Sequence, residues 1–243
     1  TSGPMVVACR TCSATFQSMP ASGTCPLDGG PVEGTRDPLV DSLVDGRYRV
    51  LRFLGAGGMA RVYAAEHSGL GTRFAIKVLR GDLLQEREMA GRFLREARAA
   101  SSLVSRHIVR VHDVGEIRPG VPYMALELLE GPSLARFLRT NGALRPEGVA
   151  LLGAQLAEGL AVAHAANIVH RDLKPDNVIL VRTADRDVAK IVDFGLAKLV
   201  GATDGQANLT ATGAVFGTPL YMAPEQVRGE AAGPAADLYA LGI

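Results

Sequence analysis

The chain has 243 residues, room for one medium domain with an appendage or for two small ones, and its 47% hydrophobic and 21% charged residues are ordinary globular composition. With 26 Lys and Arg against 25 Asp and Glu the formal charge is +1, which excludes a broad electrostatic attraction to nucleic acid or to an anionic membrane. No uninterrupted apolar run reaches the roughly 18 residues that span a bilayer, and cysteines interrupt the N-terminus where a signal peptide needs apolar residues, so the expected location is cytoplasmic. The cysteines, odd in number, all precede residue 26, which argues against a disulfide framework. Of the 26 basic residues only Lys77, Lys174, Lys190 and Lys198 are lysines. A chain that otherwise prefers Arg retains Lys where a compact ammonium is needed and a planar guanidinium does not fit.

In chain order, residues 1–30 form a cysteine-bearing head, and residues 31–46, rich in Gly, Pro and Asp without sustained periodicity, read as a linker. From Arg47 onward YRVLRFLG, ARVYAAEH and RFAIKVLR read as three short strands, with Val, Phe, Tyr and Ile supplying β preference and Gly-rich turns between them. EREMAGRFLREARAASSL carries Phe93, Ala97 and Ala100 at helical spacing among charges and reads as an amphipathic helix. HIVRVHDVGEI and PYMALELLE are two further strand candidates. After Pro146, EGVALLGAQLAEGLAVAHAAN is apolar nearly all round and longer than any strand, so a buried helix is expected in a larger, mostly helical second lobe. Strands and one helix followed by helices indicate an α+β chain with two lobes.

The turn after the first of these strands reads Gly55-Ala56-Gly57-Gly58-Met59-Ala60-Arg61-Val62. Glycines there let backbone amides approach a phosphate, although on the loop alone a plain hairpin turn is the better account of them. It lacks the Lys-Ser/Thr ending of a P-loop, and both neighbours are strands, so a strand-to-helix dinucleotide turn does not fit either. Lys77, in Ala75-Ile76-Lys77, stands in a strand among apolar neighbours. Such a lysine is either at an edge with its ammonium in water or paired, and Glu96 on the following helix is the candidate partner. Further on, Ile168-Val169-His170-Arg171-Asp172-Leu173-Lys174-Pro175-Asp176-Asn177 and Lys190-Ile191-Val192-Asp193-Phe194-Gly195 place carboxylates and an Asn in loops beside apolar strands. Oxygen ligands of this kind suit Mg²⁺, which binds through one or two carboxylates plus substrate phosphates.

With these motifs, in this order, residues 47–243 resemble the protein kinase family. The resemblance implies a two-lobed kinase-like fold, with a small β-rich lobe over 47–129 and a mostly helical lobe over 130–243, and it assigns roles to single residues. Leu54, Gly55, Ala56, Gly57, Gly58 and Val62 would form the nucleotide loop, with Ala60 where a third glycine is common. Lys77 would hold the α and β phosphates of ATP and pair with Glu96, and Asp172 would be the catalytic base. Lys174 would neutralise charge at the transferred phosphoryl group, while Asn177 and Asp193 would hold Mg²⁺. Val62, Ala75 and Ile179 would sandwich the adenine, and Glu127 to Leu129 would supply the backbone that hydrogen-bonds it, with Leu126 behind. Lys174, two places after Asp172, is the serine/threonine pattern.

Gly217-Thr218-Pro219-Leu220-Tyr221-Met222-Ala223-Pro224-Glu225 resembles the end of an activation segment, in which Thr218 would contact Asp172 and Lys174. Thr210 and Thr212 are the expected phosphosites, their phosphate docking on Arg171, Lys198 and Arg92. The expected partners are ATP and proteins with Ser or Thr, with self-association for autophosphorylation in trans, and neither nucleic acid nor a membrane segment. The alternative is a catalytically weak or inactive kinase-fold scaffold. It arises because the resemblance stops at Asp237–Ile243, the opening of the family's long central helix. The span is therefore expected to be C-terminally incomplete, with exposed apolar faces and poor stability alone. A small-molecule phosphotransferase is disfavoured by the GTPLYMAPE segment.

In the head, Cys9-Arg-Thr-Cys12, twelve residues and then Cys25-Pro-Leu-Asp28-Gly-Gly resemble a zinc ribbon. Three thiolates and one carboxylate can complete a tetrahedral Zn²⁺ site, and free cysteines are the alternative. A redox pair at Cys9 and Cys12 lacks the surrounding βαβ pattern.

Overall fold

The computed structural model describes residues 5–9, 15–16, 19–20, 22–25, 29–57, 59–83, 87–184, 187–194, 202–203, 206–207 and 219–243. Cys12, Asp28, Gly58, Lys198, Thr210, Thr212, Thr218 and the side chains of Arg92 and Glu96 lie outside the described residues. Two units separate by their internal packing: Thr1–Arg98 with Val111–Leu128, and Ala99–Arg110 with Leu129–Ile243. The head therefore belongs to the first unit.

In the head, strands β1 (Met5–Cys9), β2 (Thr15–Phe16) and β3 (Val32–Arg36) form an antiparallel sheet in the order β2-β1-β3. Its small core is Cys9, Phe16, Cys25 and Val32. The rest of the first unit is a six-stranded antiparallel sheet of β4 (Leu43–Val44), β5 (Tyr48–Ala56), β6 (Ala60–His67), β7 (Arg73–Leu79), β8 (Val111–Arg118) and β9 (Val121–Glu127), in the order β4-β5-β6-β7-β9-β8. Alternation sets its faces. At the start of β5, Tyr48 and Val50 are buried while Arg49 and Leu51 are exposed. The central strand β7 is buried from Phe74 to Leu79, as a strand with neighbours on both sides should be. Tyr48 packs edge-on against Phe74 and Tyr123, and Ile76, Tyr63 and Ala125 fill the same core. Helix α1 (Arg87–Ser101) buries Met89, Phe93 and Ala97, the stripe its spacing predicts.

Residues 31–46 are not a linker. They contribute β3, β4 and the turns between, and bury Leu39 and Val44. The Asp and Gly residues that suggest a flexible tether are turn formers with left-handed backbone, at Asp41 (φ 67°), Asp45 (φ 49°) and Gly46 (φ 65°). Asp45 also accepts a hydrogen bond from the Tyr123 hydroxyl at 2.8 Å and pairs with Arg47, whose guanidinium reaches Asp113 at 2.8 Å.

The second unit contains helices α2 (Leu134–Asn141), α3 (Pro146–Ala165), α4 (Pro224–Val227) and α5 (Pro234–Gly242). It also holds the hairpin of β10 (Val178–Arg182) with β11 (Asp187–Ile191) and the short pair β12 (Ala202–Thr203) and β13 (Gln206–Ala207). Leu103, Ile108, Leu134, Leu156, Leu160, Leu173, Val178, Ile191 and Phe194 are in its core. Helix α2 is an addition to the expected elements: Ser133 caps it by accepting from the Arg136 amide, and Gly142 with φ 79° ends it. The strand expected from His107 begins only at Val111, because the backbone of His107 and Val109 bonds Ile191 at the end of β11 instead (2.8 and 2.9 Å). Gly131 is required where it stands, since a Cβ there would lie 1.9 Å from the Leu180 carbonyl oxygen.

Helix α3 is less enclosed than its apolar sequence suggests. It buries Leu156, Gly159, Leu160 and Ala163 against β11 and α5, while Val149 and Leu151 are 54% and 61% exposed. By length and composition it is the one described helix that matches a membrane span, but it packs as a core helix does, and Gln155 fastens it to β11 through the Ala189 amide at 2.7 Å. Leu220, Val227, Leu238, Tyr239 and Ile243 are also exposed.

Candidate active site

In the second unit, the loop from His170 to Asn177 connects the region after α3 to β10, and the residues after β11 run beside it. Three of the expected site residues meet there. Lys174 Nζ donates to both carboxylate oxygens of Asp172, at 3.0 and 2.8 Å. Asn177 Nδ2 donates to the Asp172 carbonyl at 2.7 Å and to its carboxylate at 3.1 Å, leaving Oδ1 as the oxygen available to a cation. Asn177 is itself fixed: its amide donates to Lys174 O, and its carbonyl accepts from the Val192 amide, both at 2.9 Å. That last bond places Asp193, one residue on, beside the loop.

His170 ties the same two segments together from behind. Its side chain is fully buried; Nε2 meets the Val192 carbonyl at 2.8 Å, Nδ1 accepts from the Asp172 amide at 3.2 Å, and its ring stands edge-on to Phe194 with centroids 4.8 Å apart. Burial pushes the imidazole below its ordinary pKa, so it is neutral, donating at Nε2 and accepting at Nδ1. Arg171 and Asp193 both have φ 66°, a left-handed conformation that side-chain-bearing residues hold only when their surroundings impose it.

At Arg171 the imposing group is Asp237, in the first turn of α5 and 1% exposed. Its Oδ2 accepts from the His170 amide and from His164 Nε2, each at 2.8 Å, and its Oδ1 accepts from the Arg171 amide at 2.7 Å. Gln226 Nε2 donates to the Arg171 carbonyl at 2.8 Å, and Arg171 Nε donates to the Ala232 carbonyl at 3.3 Å. Sequence reasoning assigns no role to Asp237 or Gln226. The available signal is an acid inside the apolar run Pro234-Ala-Ala-Asp-Leu-Tyr-Ala-Leu. Arg171, expected to receive a phosphate, is bonded to backbone here.

The first unit carries the other set. Across β5 and β6, Gly55 pairs with Val62 and Ala56 with Arg61; across β6 and β7, Val62 pairs with Lys77 and Ala64 with Ala75. Direct pairs share a sheet face, so Gly55, Val62 and Lys77 form one row. Lys77 is 5% exposed, which rules out the solvated edge-strand position. The turn is closed by the Gly57 amide donating to the Ala60 carbonyl at 2.9 Å, and a Cβ at Gly55 or Gly57 would meet nothing within 4 Å. The fold itself does not require glycine at these two places, and the space above them remains open to a phosphate. Leu54 lies at the irregular end of β5, Glu127 pairs with Phe74 at the end of β9, and Leu129 begins the second unit's longer segment. Ile179 pairs with Lys190 across the β10-β11 hairpin.

A Gly-rich hairpin turn with a buried lysine in its row lies in the first unit, and an Asp-Lys-Asn cluster bonded to the segment from β11 into Asp193-Phe194 lies in the second. The chain belongs to the protein kinase family: the protein kinase domain model matches residues 48–243. It is 45% identical over 204 residues to the serine/threonine-protein kinase pkn2 of Myxococcus xanthus, covering 84% of this chain and 24% of that one. It is 40% identical over 205 residues to PrkC of Bacillus subtilis (84% and 30%) and 40% identical over 210 residues to PknA of Mycobacterium tuberculosis (85% and 47%). The chain thus spans from a quarter to a half of the length of these relatives. The solved PknI kinase domain of Mycobacterium tuberculosis matches with a TM-score of 0.64 at 29% identity, covering 84% of this chain and 72% of that one.

Proposed function

We propose that this chain is a serine/threonine protein kinase that transfers the γ-phosphoryl group of Mg·ATP to Ser and Thr hydroxyls of proteins. The observation that carries the reading is the Asp172-Lys174-Asn177 cluster, a carboxylate held by two side chains and fastened to the segment that bears Asp193. Mg·ATP supplies the electrophilic phosphoryl group when bound. Asp172 accepts the proton of the attacking hydroxyl, and the Lys174 ammonium, already on that carboxylate, offsets negative charge spreading over the transferred group. Asn177 and Asp193 provide the oxygen donors that suit Mg²⁺. Gly55 and Gly57, where no side chain intrudes, leave the face of the turn open to the phosphates, and Lys77 holds them with Glu96 as its partner. In the first unit, Val62 and Ala75 cover a face of the adenine, whose edge meets the backbone at Glu127.

Phosphorylation of Thr210 or Thr212 is the proposed activating event, with Thr218 serving the substrate side. In the head, Cys9, Cys12, Cys25 and Asp28 are proposed to hold Zn²⁺. Among the described residues no group of three metal-binding side chains stands together. Support comes from Cys9 and Cys25, which share one small core although sixteen positions apart in sequence. The backbone from Cys25 closes on itself as well, with Gly29 N donating to Cys25 O at 2.8 Å and Cys25 N to Gly30 O at 2.7 Å. Stoichiometric zinc in the purified protein is the expected result; its absence under non-chelating conditions removes the metal.

The deciding experiment compares transfer of labelled phosphate to a generic protein substrate by the chain and by Asp172→Asn. The variant is expected to lose about 10²- to 10⁴-fold in kcat. Undiminished transfer by the variant overturns the assignment.

A further inference from the structure

Asp37 precedes the residues matched by the kinase domain model, yet its side chain is fully enclosed in the first unit. It comes directly after β3 of the head. Its Oδ2 accepts from Arg61 Nη2 and from the Tyr63 hydroxyl, each at 2.8 Å, and its Oδ1 accepts from the Leu39 amide at 3.1 Å. Arg61 Nε also donates to the Tyr63 hydroxyl oxygen at 2.8 Å, and the guanidinium carbon lies 4.5 Å from the centre of the Phe53 ring. Burial pushes the Tyr63 phenol well above its ordinary pKa, so the hydroxyl keeps the proton it donates.

The place of this cluster matters more than its strength. Phe53 on β5 pairs with Tyr63 on β6, while the next pairs toward the turn are Gly55 with Val62 and Ala56 with Arg61. Side chains alternate along a strand, so Arg61 and Tyr63 stand on the face opposite Val62, which shares its face with Lys77. The cluster therefore grips the base of the Gly-rich hairpin from behind. The head is attached at a second point too, where Thr15–Phe16 packs on the 3-10 turn Gly81–Leu83 just after β7.

We propose that Asp37 is a positioning residue for phosphoryl transfer: from outside the kinase match, it fixes the strand pair carrying Gly55 and Gly57, and so sets the affinity of the nucleotide loop for ATP phosphates. The inference rests on the kinase reading above. Asp37 touches no reactant; it acts through Arg61 and Tyr63.

The test measures KM for ATP, KM for a peptide substrate, kcat and the melting temperature for the whole chain and for Asp37→Ala, Asp37→Asn and Tyr63→Phe. Asp37→Ala is expected to raise KM for ATP about three- to tenfold, with kcat and the peptide KM within about twofold of the parent. Asp37→Asn retains an acceptor and is expected to fall between, and Tyr63→Phe removes one bond of the cluster and shifts KM in the same direction. If Asp37→Ala does not fold, the two milder variants decide. An unchanged KM for ATP, or a loss shared by all kinetic constants in step with a lower melting temperature, overturns the proposal. A parent chain without phosphoryl transfer or ATP affinity instead overturns the kinase reading.

Discussion

Two buried aspartates do comparable work in the two units by different means. Asp37 is neutralised by a guanidinium, Arg61, whose side chain is 12% exposed. Asp237 accepts instead from two backbone amides and His164, with no Lys or Arg side chain bonded to it among the described residues. The two carboxylates thus serve different ends. A carboxylate paired with a flexible cation fixes where two strands lie, and its loss leaves a cation that can turn toward water. A carboxylate spent on main-chain amides fixes a backbone conformation, here the left-handed Arg171, and its loss leaves buried donors with nowhere to go.

The largest expected effect is therefore in the second unit. Asp237→Ala should cost about 3 kcal/mol or more in denaturant titration, because several donors lose one acceptor together, and should lower kcat at least tenfold as the Asp172 loop relaxes. If Asp237→Ala and Asp37→Ala destabilise equally, the distinction between the two carboxylates fails. Next comes Asp37→Ala, expected at about 1 to 2 kcal/mol on the same measurement, since Arg61 can rehydrate.

The comparison extends to pH. The folded pKa of His170 lies below its ordinary value of 6.5, with burial the largest cause. Unfolding lets the ring take up a proton that the folded state refuses, so its contribution is fully present above the unfolded pKa and is lost as pH falls below it. Hydrogen exchange at pH 7 and at pH 5.5 should show the β10-β11 amides losing protection at the lower pH. Equal protection at both would mean that His170 is protonated without cost. The smallest effect belongs to the exposed Arg182–Asp187 pair, at 3.4 Å with side chains 88% and 69% exposed. Arg182→Ala should shift stability by less than about 0.5 kcal/mol, and a larger change would show that surface pairs in this unit matter more than their solvation allows.

What could be read from the sequence divides along the same lines. The Asp172, Asn177 and Asp193 loops are legible because the family motifs restrict residue types at short spacing, β5 to β7 because Val, Phe, Tyr and Ile fill short runs between Gly-rich turns, and α1 because its burial follows the helical period. Helix α2 is hidden by its eight-residue length between Gly131-Pro132 and Gly142. Residues 31–46 mislead because Asp and Gly signal a turn and a tether alike; only Arg61 and Tyr63, far along the chain, distinguish the two for Asp37. Asp237 is the extreme case, since its partners His170 and Arg171 lie more than sixty positions away. Hydrogen bonds across such separations leave no local periodicity.

The two-residue strand β4 also governs how the protein behaves in company. It pairs Leu43 with Arg49 and Val44 with Tyr48, while Ser42 and Asp41 bond Val50, so the outer side of β5 is already taken along its first residues. The solvent side of β4 is too short and too tightly turned to recruit another strand. A kinase domain trimmed to begin at Arg47 would bare that stretch of backbone amides and carbonyls, and a second molecule could zip onto it. The segment ahead of Arg47 thus also acts as a selvage, a finished edge that keeps the sheet from growing past its own chain.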